Sequence, residues 1–246
     1  MSKVFKHSGD LGDIVYSLPT VKRLGGGTLL LDTTGGEGDP WCGAQCIDGR
    51  TKFNKDSYNF IKPLIEAQEY IVSCDEWKPS DHVDINLNGF RQKFSDPKTR
   101  SKTRNLIDLH LDYMGLDEWD YNDGWLTGAT KATHDRKLIV CRSPRYQSNF
   151  SWFQSNRTAL KDQAVFMGLS KEHELFEWTF NLTIPYLQVE NALEMANHIA
   201  GCSLFIGNAS FPLSLAVGLG DVQIIHEFDK NVPTTFFEGK RGMQYV

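Results

Sequence analysis

Short apolar runs in this chain alternate with segments of helical period, and that alternation confines it to parallel strands joined by right-handed crossover helices. The pattern is sharpest at the amino end. Val4 and Phe5 lead into Ser8, Gly9, Asp10, Gly12 and Asp13, after which Ile14, Val15, Leu18, Val21 and Leu24 recur at helical spacing. Strand, turn and helix follow in that order, and in an open α/β sheet such a junction lies at the strand carboxyl ends, where ligands bind. Backbone N–H groups and the helix dipole there can hold an anion, and a carboxylate can take a proton from a bound hydroxyl. Asp10 and Asp13 also suit an ordinary helix start, as N-cap and first-turn acid. Gly9 and Gly12 tilt the reading toward a ligand, because they remove side chains where a ligand would approach the backbone.

Further along, the glycines at 25–27 stop the first helix and 28–32 reads as a buried strand. Residues 33–55 read as a long loop near the ligand site, with Cys42 and Cys46 as free thiols. A helix is expected over 56–68, kinked or split at Pro63, with short strands at 70–73 and 82–87 and a further helix over 105–116. Between these, 91–104 is densely basic, with Arg91, Lys98, Arg100 and Lys102 among six cations set against the single acid Asp96. Such a run is either a solvated loop or a contact for a phosphate-bearing acceptor. Residues 117–136 read as a hinge. Beyond it, strands are expected at 137–141, 164–169, 203–207 and 222–226, with helices at 191–202 and 212–219. The fold expected is α/β, two Rossmann-like domains facing a cleft, divided as 1–125 and 126–246.

Two segments of the second half lie just past strands. Arg142, Ser143 and Arg145, with Tyr146 beside them, could grip phosphate in the bidentate manner open to arginine, or could be surface ion-pairing residues. Gly207, Asn208, Ala209, Ser210 and Phe211 form a small-residue turn ahead of Pro212, suited to a diphosphate and equally to starting a helix. Glu172 and Glu174 are expected in a loop where a carboxylate could accept ribose hydroxyls. Several chemistries are disfavoured. The histidines show no ligand spacing, D-x-D is missing, and neither a P-loop nor a G-x-S-x-G motif occurs.

At 246 residues the chain is long enough for one large or two small α/β domains, and a formal charge of −5 argues against nonspecific coating of nucleic acid. Five cysteines, at 42, 46, 74, 141 and 202, without a disulfide-scaffold density, point to a reducing compartment. The start MSKVFKHSGD lacks an apolar signal region and no uncharged run spans a bilayer, so a cytoplasmic location with no membrane segment is expected.

Three motifs in order resemble those of the heptosyltransferase-like glycosyltransferases, family 9. GDLGDIVYSLPTVKRL resembles the N-terminal G-D-x-x-x-x-x-P motif, CRSPRYQSNFSWFQ the phosphate-binding segment, and FIGNASFPLSLAVGLG the C-terminal glycine turn and helix start. The resemblance implies a GT-B fold, with a nucleotide-sugar donor held mainly by the second domain and the acceptor by the first. It also implies inverting transfer with no catalytic metal and no cofactor beyond the donor as co-substrate. By the same resemblance Asp13 is the general base. Arg142 and Arg145 face the diphosphate, Asn208 to Phe211 donate backbone N–H groups to it, and Glu172 or Glu174 meets the ribose. Ser8, Gly9, Asp10, Gly12, Ser143, Tyr146 and Gly207 complete the substrate-binding set. Ser214 departs from the family, which commonly has histidine there. By analogy of size and charge with compact phage enzymes, Arg91, Lys98, Arg100 and Lys102 would bind the acceptor, a hydroxymethylated base in phage DNA, in the host cytoplasm. The alternative is a nucleotide or nucleotide-sugar binding protein without transferase activity.

Overall fold

The computed structural model describes residues 2–34, 53–92, 105–133, 135–148 and 151–246. In the first half, β1 (Lys3–His7), α1 (Leu11–Arg23), β2 (Gly27–Leu31), α2 (Lys55–Glu66), β3 (Ile71–Glu76) and β4 (Ile85–Asn86) precede a short 3-10 helix, Leu87–Arg91, and α3 (Leu106–Tyr113). Their strands form one parallel sheet in the order β3-β2-β1-β4. The second half begins with β5 (Leu138–Cys141), α4 (Trp152–Ser155), α5 (Arg157–Gln163), β6 (Ala164–Met167), α6 (Ser170–Phe180) and β7 (Tyr186–Leu187). It closes with α7 (Ala192–Gly201), β8 (Leu204–Asn208), α8 (Phe211–Gly218), β9 (Ile224–Glu227) and β10 (Met243–Tyr245), giving a second parallel sheet ordered β10-β9-β8-β5-β6-β7. Counted from its own first strand, this sheet has the doubly wound order, and both halves reverse direction beside that strand, at β1/β4 and at β5/β8. The glycine turn before β2 is needed for close approach: at Gly26, with φ +73°, a Cβ would lie 2.0 Å from the Tyr70 carbonyl oxygen.

α1 is more buried than an amphipathic stripe requires, since every residue from Ile14 to Val21 is out of solvent. It packs against α3 and, from the other half, α8, and its apolar residues share one core with Phe5, Leu29 and Leu31 of the first sheet. α8 is likewise buried from Leu213 to Gly218, and α2 packs against α7 in the same way. One apolar core therefore runs through both halves, from Phe5, Leu29 and Ile61 to Ile139, Phe205 and Leu215. A second cluster under the other face of the second sheet holds Phe153, Phe166, Phe176 and Ile206.

The stretch expected to be a hinge is a packed strap. Trp125 has no exposed surface, and its indole N–H donates to the Val15 carbonyl of α1 at 3.1 Å. The Trp125 and Leu126 amides both donate to the Gly218 carbonyl at the end of α8, and Thr127 N–H donates to Gln68 Oε1. Tryptophan and leucine in an otherwise polar segment supply the burial that a free hinge lacks. Pro63 lies in the last turn of α2, which runs unbroken across it. Helices α4, α5 and α6 and strands β7 and β10 were not anticipated; β7 and β10 have two and three residues, too short for a periodic signal. The loop expected at 33–55 is described only at its ends, so Cys42 and Cys46 lie outside the described residues. No helix among the described residues is long and apolar enough to cross a membrane.

Candidate active site

At the first switch point β1 delivers a tightly pinned turn. Ser8 N–H donates to Asn88 Oδ1 at 2.9 Å and Gly9 N–H to His7 Nδ1 at 2.9 Å. Asp10 occupies the N-cap of α1, yet its side chain makes no capping hydrogen bond, and the helix opens with Ile14 N–H bonding the Asp10 carbonyl. One turn on, Asp13 Oδ2 lies 3.3 Å from Arg91 Nη2, and Arg91 Nη1 donates to Asn88 Oδ1. Asn88 thus ties the turn and the arginine together from the 3-10 helix. Gly9 admits no side chain: a Cβ would come 2.6 Å from His7 Cε1, 2.8 Å from Arg91 Nη2 and 2.9 Å from Asp13 Cβ.

At the second switch point the segments after β5 and β8 are laced together. Asn208 accepts from the Ser143 amide at 3.0 Å and donates to the Ser143 and Arg145 carbonyls at 2.8 and 2.6 Å. Gly207 permits this approach, since a Cβ would lie 2.6 Å from the Cys141 carbonyl oxygen. Arg142 is held away from solvent in a two-pronged ion pair, Nε and Nη2 to the Glu227 carboxylate at 2.7 and 2.9 Å, and the Ser148 amide donates to the same carboxylate. Arg145 is half-exposed, with Nη1 3.9 Å from Asp10 Oδ2 of the other half. Next to it Tyr146 has φ +54°, a left-handed conformation that costs about 1–3 kcal/mol in a residue other than glycine. Ser210 is the N-cap of α8, but its hydroxyl donates to the Asn208 carbonyl, and Pro212 stands at the second helical position.

The two helix starts meet. A Cβ on Gly12 would sit 3.9 Å from Phe211 Cα, and Phe211 packs edge-on against Phe60 with ring centroids 6.1 Å apart. Asp10, Gly12, Arg145 and Phe211 are thereby brought together, with Asp13 and Arg91 on the flank of α1. Glu172 stands just past the carboxyl end of β6, in the first turn of α6 and not in the loop expected, where it accepts the Leu169 amide at 3.0 Å; Glu174 is also within α6. Leu169 is the N-cap and Glu172 the third helical residue, where a carboxylate that accepts the N-cap amide and faces the positive end of the helix dipole favours a helix start. Arg91 is the one described member of the proposed acceptor set, and Lys98, Arg100 and Lys102 lie outside the described residues. Asn88, His7, His110 and Glu227 escaped sequence reasoning. Only Glu227, directly after the strand-like VQIIH, carried a positional signal.

The arrangement offers a carboxylate in the first turn of one helix, the start of a second helix beside it, and an exposed guanidinium across the junction. Such a set can take up a proton and hold an anion. Among the described residues, no group of three or more His, Cys, Asp or Glu is placed to hold a metal ion.

Two Rossmann-like halves, each with its switch point beside its first strand and joined at the carboxyl ends of those strands, make a GT-B-like α/β fold. It is similar to the crystal structure of a glycosyl transferase family 9 protein from Veillonella parvula DSM 2008. The TM-score is 0.62 at 13% identity, over 99% of this chain and 84% of that one. It is also similar to E. coli heptosyltransferase WaaC with ADP-2-deoxy-2-fluoro heptose, with TM-score 0.56 and 9% identity, over 100% of this chain and 93% of that one. The dodecameric iron-containing heptosyltransferase TibC of enterotoxigenic E. coli, in complex with ADP-D-beta-D-heptose, gives 0.57 and 12%, over 100% of this chain and 63% of that one. These structures belong to the family that the three sequence motifs resemble, and at such identities the likeness is one of fold. No protein-family model matches the sequence, and no curated protein matches it in a sequence search.

Proposed function

We propose that this chain is an inverting, metal-independent glycosyltransferase that moves a sugar from a nucleotide-sugar donor to an acceptor hydroxyl. The observation that carries the reading is the Asp13 carboxylate, in the first turn of α1 beside Arg91, at the edge where the start of α8 and Arg145 also converge. Asp13 accepts the proton of the acceptor hydroxyl as that oxygen attacks the anomeric carbon. The bond to the diphosphate breaks on the opposite face, which inverts the centre. Negative charge developing on the leaving diphosphate is met by the Arg145 guanidinium and by N–H groups at the start of α8. Arg142, engaged with Glu227, braces the 143–148 segment that carries Arg145.

The test is Asp13→Asn, with transfer or slow donor hydrolysis measured alongside donor affinity. Turnover is expected to fall by about a hundredfold or more while the donor dissociation constant stays within about twofold. Undiminished turnover removes Asp13 from the mechanism. Donor identity is read by thermal shift against UDP-, GDP-, ADP- and CMP-sugars, since a ligand of the folded state raises its stability.

The acceptor we favour is a hydroxymethylated base in phage DNA. Support comes from the basic run that begins at Arg91, the residue in contact with Asp13. Reversing the charges of Arg100 and Lys102 should then weaken duplex binding and flatten its salt dependence. Unchanged binding discards this acceptor and leaves transfer to another hydroxyl. Free thiols at Cys74, Cys141 and Cys202 support a cytoplasmic setting, the host's for a phage protein. The Arg91–Asp13 ion pair favours a second reading, a nucleotide-sugar binding protein in which Asp13 is structural. Tight donor binding with neither hydrolysis nor transfer selects it.

A further inference from the structure

We propose that His110 is a positioning residue for the turn that carries Asp13, acting through His7; this rests on the transferase reading and deepens it. His7 ends β1, His110 lies on α3, and their Nε2 atoms face each other at 3.2 Å with both rings buried. The groups around them leave one tautomer for each ring. Gly9 N–H donates to His7 Nδ1, so that nitrogen bears a lone pair and His7 Nε2 bears the hydrogen. His7 Nε2–H then donates to His110 Nε2, and His110 Nδ1–H donates to the Leu106 carbonyl at 2.7 Å. One directed chain of hydrogen bonds thus runs from the Gly9 amide to the first turn of α3.

The same pair also fixes the other side of Asp13. Phe90 stacks on His110 with centroids 3.9 Å apart, and Arg91, next in the chain, reaches Asp13. Through Gly9 the histidines hold the backbone ahead of Asp13, and through Phe90 they hold the arginine beside it. Burial and then the nearby Arg91 charge keep His110 neutral, pushing its pKa down to about 3, and His7 is lowered as well by burial, His110 and Arg91. Apolar side chains would fill the same space at no desolvation cost, but would leave the buried Gly9 N–H without its acceptor. A polar pair here therefore has work that packing does not explain.

His110→Phe keeps a ring against Phe90 and removes the acceptor for His7 Nε2–H; His110→Gln returns an oxygen to that region. With the donor saturating, kcat for transfer or donor hydrolysis should fall by about tenfold or more in the phenylalanine variant, with donor KM within about twofold. The glutamine variant should recover most of that loss. An unchanged kcat in His110→Phe, or equal impairment in His110→Gln, overturns the proposal. A second measurement needs no turnover: ring ¹⁵N–¹H correlations on the wild-type protein should find hydrogen on Nε2 of His7 and Nδ1 of His110. The Gly9 amide should exchange faster with solvent in His110→Phe. Opposite tautomers, or unaltered Gly9 exchange, also overturn it. A wild-type protein that turns over no nucleotide sugar instead sinks the transferase reading, and the magnetic resonance arm still decides whether the histidines hold the turn.

Discussion

Arg142 and Glu227 are paired with side chains 5% and 0% exposed, so each charge depends on the other for the solvation it has lost. Arg142→Met should destabilise the protein by about 3–5 kcal/mol, read as a lowered urea midpoint, because Glu227 is left buried with only the Ser148 contacts. The double variant Arg142→Met, Glu227→Leu should regain much of that loss, and a double variant no more stable than the single one would show that the pair is not mutually compensating. Gly9 makes a different demand. Gly9→Ala puts a methyl group inside contact distance of His7, Arg91 and Asp13, so activity should drop at least tenfold even where the variant stays folded by circular dichroism. The sequence singled out Gly9 and Arg142 by their place after a strand. It could not say that one arginine would spend its guanidinium on a glutamate 85 positions later while Arg145 stayed exposed.

At the scale of elements, the junction between halves is made by helix α1 on α8 and helix α2 on α7, with the Trp125 strap bonded to α1 and α8. Trp125→Ala removes a fully buried indole and its bond to the Val15 carbonyl, and should cost about 3–5 kcal/mol. Since the strap touches both halves, near-ultraviolet and far-ultraviolet signals should still lose structure together; separate transitions would mean that a partly folded state is populated. Helix α1 was legible from its apolar spacing and its glycine stops. Its burial on all sides was not, because that depends on α8, whose residues stand about two hundred positions away.

The whole molecule carries a pH dependence set by buried neutral histidines. His7, His110 and His226 are all lowered, chiefly by burial, with His226 pushed down to about 4 and His110 to about 3. Above the unfolded value of about 6.5 neither state binds these protons and stability is flat. Below it the unfolded chain takes them up and the folded one does not, so stability falls by up to about 1.4 kcal/mol per pH unit for each histidine. The loss continues until the folded values are reached, near pH 4 for His226 and near pH 3 for His110. Urea midpoints should therefore decline steadily from pH 6.5 to pH 4.5, and a midpoint constant over that interval would contradict neutral burial.

The amino-acid sequence by itself determined the alternation of strands and helices, the two-fold repetition of a parallel sheet, and the turns that follow β1, β5 and β8. Those properties follow from periodicity and from glycine and proline chemistry, which act over a few residues. Tertiary structure alone decided which polar groups meet. Asp13 meets Arg91, Arg142 meets Glu227, and His7 meets His110 across 78, 85 and 103 positions respectively, and nothing local encodes such meetings. They exist because sheet order and helix packing bring strand ends together in space, and burial then obliges each polar group to find a partner.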